Sequence, residues 1–273
     1  RKSKRSEESM QIELSIINQE NEVVMCSSGV DEAVLATKKY AFQAGDKFKV
    51  VTAEKQLVYV QLDNALGSSL VYLSKGEWVY EIPTTEKLRE AYPPAAFLDE
   101  KHYFFVRKAF AEEQTSYRNW ALNPHDQKDV ANVYPHAYAN VETRNDATFF
   151  ARNAIDGILA NRDHGSYPYQ SWGINQQKDA EITIDFGREV ELDKLGLVLR
   201  ADFPHDSYWK QVTIAFSDGS EEIFTTSDAI ATQYFTFSPR TVTTATLKQL
   251  IKAEDESPFP ALTQIELFGY QKL

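Results

Sequence analysis

The sequence predicts an all-β protein built as two β-sandwich domains. Three observations carry that expectation. Apolar and polar residues alternate with period 2 in one short segment after another. Turn formers separate those segments at short intervals, the spacing of a sandwich or barrel. A length of 273 residues is enough for two ordinary domains.

The segments follow in order. Gln11-Ile12-Glu13-Leu14-Ser15-Ile16 alternates cleanly and reads as a half-buried strand, with Val34–Thr37 a weaker one. Gly45-Asp46 introduces Lys47–Val51, and Lys55-Gln56 introduces Leu57–Leu62. Ser69–Leu73 and Glu77–Ile82 are next. Pro83-Thr84-Thr85-Glu86 predicts a capped helical turn, which Tyr92-Pro93-Pro94 ends. Lys101–Ala109 is another strand. Residues 117–135 turn polar, with Asn123-Pro124 and Tyr134-Pro135, so the domain boundary is expected near residue 130. The implied division is a tail or remnant at 1–9, a sandwich of unknown role at 10–118, a linker at 119–130 and a second domain at 131–273.

The second half repeats the rhythm without repeating the sequence. A short helix is expected at 149–156. Strands are expected at Ala180–Gly187, Leu195–Arg200, Gln211–Phe216, Tyr234–Phe237, Thr244–Leu250 and Ile265–Gly269. Ser217-Asp218-Gly219-Ser220 is a hairpin turn into Glu221–Phe224.

Composition excludes several classes. Net charge is −11, so the surface repels nucleic-acid phosphates and anionic membranes alike. No stretch approaches the roughly 20 apolar residues of a membrane span. The charged N-terminus has no apolar core behind it, so the chain as given carries no signal peptide, and Met10 suits a natural start. That points to the cytoplasm unless a leader was removed. The single cysteine, Cys26, permits no internal disulfide, and its place in Val23-Val24-Met25-Cys26 predicts a buried small hydrophobe.

The ordered series Asn153-Ala154-Ile155-Asp156-Gly157, Ser171-Trp172-Gly173, Ile182–Gly187, Ser217-Asp218-Gly219 and Ile265-Glu266-Leu267-Phe268-Gly269 resembles a discoidin (coagulation factor type C) domain. That group includes the family 32 carbohydrate-binding modules. The resemblance covers about residues 131–272 and implies a galactose-binding-like jelly roll with ligand loops at one end. It also implies that Trp172 is core. By the same resemblance a structural calcium would sit beside the Asp-Gly turn, on Asp156, on the carbonyls of Asn153 and Ile158, and on Asn161, Thr263 and Gln264. Calcium takes six to eight oxygens. The family tends to have an acidic residue where Gln264 stands, which removes one carboxylate. The alternative is that Asp156 simply bonds its own loop.

A sugar ring needs an aromatic face to stack on and charged or amide groups for its hydroxyls. Three loops offer these: 163–170, 200–209 and 255–260. The candidates are His164, Tyr167, Tyr169, Arg200, Asp202, His205, Asp206, Tyr208, Trp209 and Phe259. Trp209 either stacks on ligand or packs beneath its loop, and Arg200 either meets hydroxyls or pairs with Asp202 or Asp206. Five histidines without metal-ligand spacing, and the lack of a nucleophile elbow or phosphate loop, argue against an enzyme. The expected function is therefore non-catalytic carbohydrate binding. The alternative is a protein-interaction module using the same loops, with a glycan-active enzyme behind both.

Overall fold

The computed structural model describes residues 9–205 and 207–272. It is almost entirely β, as expected. In the N-terminal half, β1 (Gln11–Ile17), β2 (Val23–Val30), β4 (Lys47–Thr52) and β7 (Glu77–Glu81) form one antiparallel sheet in the order β2-β1-β4-β7. β3 (Glu32–Thr37), β5 (Gln56–Gln61), β6 (Ser69–Leu73) and β8 (His102–Lys108) form the facing sheet. Alternation decides what each sheet buries. Ile12, Leu14, Phe48, Val50, Trp78 and Tyr80 point inward from the first, and Val58, Val60, Val71, Phe104 and Val106 from the second. Phe48 meets Phe104 across the gap with ring centroids 4.7 Å apart. The predicted capped turn is α1 (Glu86–Arg89), with Thr85 Oγ1 accepting from the Leu88 N–H. A second helical turn, α2 (Ala111–Thr115), follows β8.

Cys26 departs from expectation: it is exposed. β2 is an edge strand, and its alternation turns Met25 toward the core and Cys26 outward. Local desolvation and Glu13 raise the thiol above its ordinary range, which lowers its thiolate fraction.

The second correction concerns 119–130. The polar run predicts a linker, yet Trp120, Ala121, Asn123, His125 and Asp126 are buried. The polar side chains spend their hydrogen bonds on the two halves of the molecule rather than on water. Just before them, β9 (Arg118–Asn119) pairs with the last strand of the C-terminal half, and Trp120 Nε1 donates to the Gly269 carbonyl at 3.0 Å. Just after them, β10 (Val133–Tyr134) joins the N-terminal sheet beside β6. The segment is a strap stitched into both sandwiches. The expected tail falls almost wholly outside the described residues, and Met10 is already part of the N-terminal core.

The C-terminal half comprises β11 (His136–Ala139), β12 (Trp172–Gly173), β13 (Ile182–Leu199), β14 (Trp209–Phe216), β15 (Glu221–Thr225), β16 (Gln233–Lys252) and β17 (Ala261–Gln271). The expected separate strands at 180–187 and 195–200 are one strand, β13, and those at 234–237 and 244–250 are one strand, β16. Both turn a corner, so one continuous sheet, ordered β12-β17-β13-β16-β14-β15, wraps over itself around a shared core. The corner in β13 is a register shift between Asp185 and Val190. Gly187 sits there at φ +65°, where a Cβ would run into the Tyr134 ring. The helix expected at 149–156 is two short 3₁₀ turns, Ala147–Phe149 and Ala151–Ile155. Trp172 is fully buried, as the resemblance implies.

Candidate functional site

One end of the C-terminal sandwich carries a cleft of about 210 Å³, and its walls come from five segments distant in sequence. Thr143, Arg144 and Phe149 form one side, Gly173–Gln176 the floor, His164, Arg200 and His205 the polar side, and Phe259–Ala261 the rim.

Each segment is tied to the frame. The Asn161 amide donates to the carbonyls of Leu199 and Ile230 at 2.8 Å each, and the Ala201 N–H donates to the Asn161 carbonyl at 2.8 Å. The His164 loop is thereby fixed to the end of β13. Ser207 Oγ donates to Asp255 at 3.0 Å and the Ala253 N–H to the Tyr208 carbonyl at 2.9 Å, joining the 200–209 loop to the one before β17. Gly173 pairs with Ala261, and a Cβ on it would lie 2.6 Å from Thr143 Oγ1 and 3.0 Å from the Phe149 ring. Only glycine lets the floor approach that wall so closely.

Asp202 organises the polar side from behind. It is buried, accepts from His164 at 2.5 Å through Nδ1, and faces Arg200 Nε at 3.4 Å. Arg200 is buried too, and Nη1 donates to the Phe259 carbonyl at 2.9 Å. Desolvation lowers the guanidinium's pKa, against the attraction of Asp202. The His164 and His205 rings meet edge to face at 5.4 Å. Both imidazoles and Phe259 are exposed. The cleft thus offers several hydrogen-bonding groups and an accessible ring. Asp163, His164 and Asp202 bring potential metal ligands within 4.8 Å of one another. Asp202 Oδ2 is committed to His164 while Oδ1 pairs in charge alone with Arg200, so this geometry reads as a carboxylate orienting an imidazole.

Of the ten residues singled out in sequence, His164, Arg200, His205 and Phe259 line the cleft, and Asp202 supports it. Asp206 lies outside the described residues. Trp209 is corrected to a core residue: it is 1% exposed, 6.2 Å from Trp172, and cannot stack on a ligand. Tyr208 is half-buried against the same core. Tyr167 faces a small cavity toward the N-terminal half, its N–H donating to the Glu90 carbonyl at 2.7 Å. Tyr169 is half-buried in the same turn, outside the cleft lining. Sequence reasoning missed Arg144, Asn175 and Gln176. Arg144, Asn145, Asn175 and Gln176 all adopt positive φ, between 49° and 59°, a turn conformation that Arg144 and Gln176 do not announce in sequence.

The residues implied for calcium partly converge. Asp156 is buried, with Oδ1 accepting from the Ile158 N–H at 2.8 Å and Oδ2 from Gln170 Nε2 at 2.7 Å. Gln264 Nε2 lies 2.6 Å from the carbonyls of Asn153 and Thr263 and 2.7 Å from Asp156 Oδ1. Its Oε1 accepts from the Gly157 N–H at 2.9 Å. Asn161 is turned to the strand end described above.

No protein-family model matches the chain, and no curated protein matches it. Solved structures do. Chitosan-binding module 1 of a Paenibacillus sp. IK-5 chitosanase/glucanase is similar at 21% identity over 55% of this chain and 98% of that one, with a TM-score of 0.39. The family 32 carbohydrate-binding module from C. perfringens, in complex with galactose, is similar at 16% identity over 48% and 91%, with a TM-score of 0.37. The lectin domain of lectinolysin, complexed with Lewis B antigen, is similar at 15% identity over 51% and 94%, with a TM-score of 0.37.

Proposed function

We propose that this protein binds carbohydrate, without turning it over, in the cleft lined by His164, Arg200, His205 and Phe259. The carrying observation is the convergence of two imidazoles, a braced guanidinium and an exposed phenyl ring from separate loops on one small concavity. A ring hydroxyl can both donate to and accept from imidazole, and accepts from guanidinium, while the apolar C–H face of a pyranose packs on Phe259. The cleft is small beside the ~300–1,000 Å³ of drug-sized pockets, which suits one terminal sugar rather than the middle of a chain. Glycoside hydrolysis needs a pair of carboxylates facing the bond. None of the described lining residues is acidic, which favours binding over catalysis.

The test is a glycan array followed by calorimetry on hits, with galactose, fucose and chito-oligosaccharides as first probes. Phe259→Ala and Arg200→Ala should each weaken a hit at least tenfold. A hit that neither substitution touches sinks the assignment to this cleft, and an array without hits sinks the function. Phe203 is 87% exposed at the tip of the 200–209 loop and favours a second reading, a protein partner. Lysate capture that depends on Phe203 and is indifferent to free sugars supports that reading instead.

A further inference from the structure

We propose that the buried turn at Asp156 is closed without a metal: the Gln264 amide occupies the place of a calcium ion, and the Arg152 guanidinium supplies its charge. The two ends of the Gln264 side chain have different tasks. Its oxygen accepts the Gly157 N–H, and its nitrogen faces three oxygens, those of Asn153, Thr263 and Asp156, at 2.6–2.7 Å. An amide has one acceptor end. If that oxygen turned to a cation, the NH₂ group would be forced against the Gly157 N–H, donor against donor. A glutamate escapes the conflict, because one oxygen can accept from Gly157 while the other binds metal. Glutamine cannot do both.

The charge balance points the same way. Arg152 is 4% exposed, and its positive charge acts on Asp156. It is locked in place, with Nε donating to the Asp126 carbonyl and Nη2 to the Pro124 carbonyl, both at 2.9 Å. The Tyr92 ring of the N-terminal half lies 4.9 Å from the guanidinium. The donor set offers a single carboxylate, whose second oxygen is held by Gln170. Calcium requires six to eight oxygens and favours several charged ones. A divalent ion here would face the Gln264 NH₂ group, and the fixed positive charge of Arg152 would add repulsion.

The experiment is calcium calorimetry and thermal unfolding of chelator-treated full chain, for wild type, Gln264→Glu and Asp156→Asn. Wild type should show no calcium site that Asp156→Asn removes, and the same melting temperature in calcium and in EDTA. Gln264→Glu should gain one such site and a melting temperature several degrees higher in calcium than in EDTA, since a ligand of the native state alone stabilises it. If Gln264→Glu folds only with calcium present, that is the same gain. Two results overturn the proposal: a wild-type calcium site lost in Asp156→Asn, or a Gln264→Glu variant as indifferent to calcium as wild type.

Discussion

His125 Nε2 accepts the backbone N–H of Leu62 at 3.2 Å, joining the strap to the end of β5 in the other half of the molecule. With Nε2 as acceptor, a neutral ring carries its proton on Nδ1, which reaches Ser69 Oγ at 3.1 Å. The ring is fully buried, edge-on to Trp78 and Tyr80 at 6.3 Å each. One of the ties between the two sandwiches is therefore an imidazole that has no place for a second proton.

Burial, reinforced by Arg152, pushes the His125 pKa down to about 3. Its unfolded pKa is about 6.5. Between those values the unfolded chain binds a proton that the folded chain refuses. The contribution is complete above pH 6.5 and is lost as pH falls toward 3, by about 1.4 kcal/mol per pH unit. Urea unfolding of wild type and His125→Gln from pH 7.5 to 4 should show the variant less stable at pH 7.5 and the gap closing on acidification. A gap independent of pH removes His125 from the acid response.

Trp209 and Phe259 separate scaffold from site. Trp209→Ala empties a core position against Trp172 and should cost about 3–5 kcal/mol. Phe259 is 44% exposed, so Phe259→Ala should leave the urea midpoint within error while weakening sugar binding at least tenfold. Equal losses of stability in the two variants would place Phe259 in the core and remove it from the binding surface.

The same pair shows what was legible. In β14, Val212, Ile214 and Phe216 face the core, so strict alternation sends Trp209 to the other face. Register shifts flanking Gln211, between Trp209 and Thr213, turn it back inward. A bulge leaves no local mark in the residues, which is why Trp209 reads ambiguously. Ile12, Leu14, Phe48 and Val50 were readable because period-2 alternation there runs unbroken. His164, Arg200 and Phe259 were readable as polar or aromatic residues in turn-rich loops. Arg144 and Asn175 were not, because they enter the cleft through non-local contacts such as the Asn175 N–H to Thr143 Oγ1 at 3.0 Å. The strap misled for a related reason: Asn123 and Asp126 look like solvated loop residues, yet Asn123 Nδ2 donates to the Pro135 carbonyl and Asp126 holds His136 and the Ala137 N–H.

Asp156 supplies the opposite pH signature to His125. Desolvation raises its pKa to about 6, against the pull of Arg152 and its hydrogen bonds. Its unfolded pKa is about 3.9. Across that window the folded chain binds the extra proton, so the carboxylate costs stability above pH 6, and the cost is relieved as pH falls. Asp156→Asn removes the titration. The variant also has somewhere to put the new N–H, because Gln170 Oε1 is buried without a hydrogen-bond partner and turning that amide over presents it where its Nε2 now meets Asp156. The variant should match or exceed wild type at pH 7.5, and wild type should gain on it by roughly 1.4 kcal/mol per pH unit between pH 6 and 4. A cation held at Asp156 would keep the carboxylate ionised and reverse the sign, making wild type lose ground on acidification. Paired urea titrations in EDTA and in calcium thus read the charge state of this turn independently of any direct measurement of metal binding.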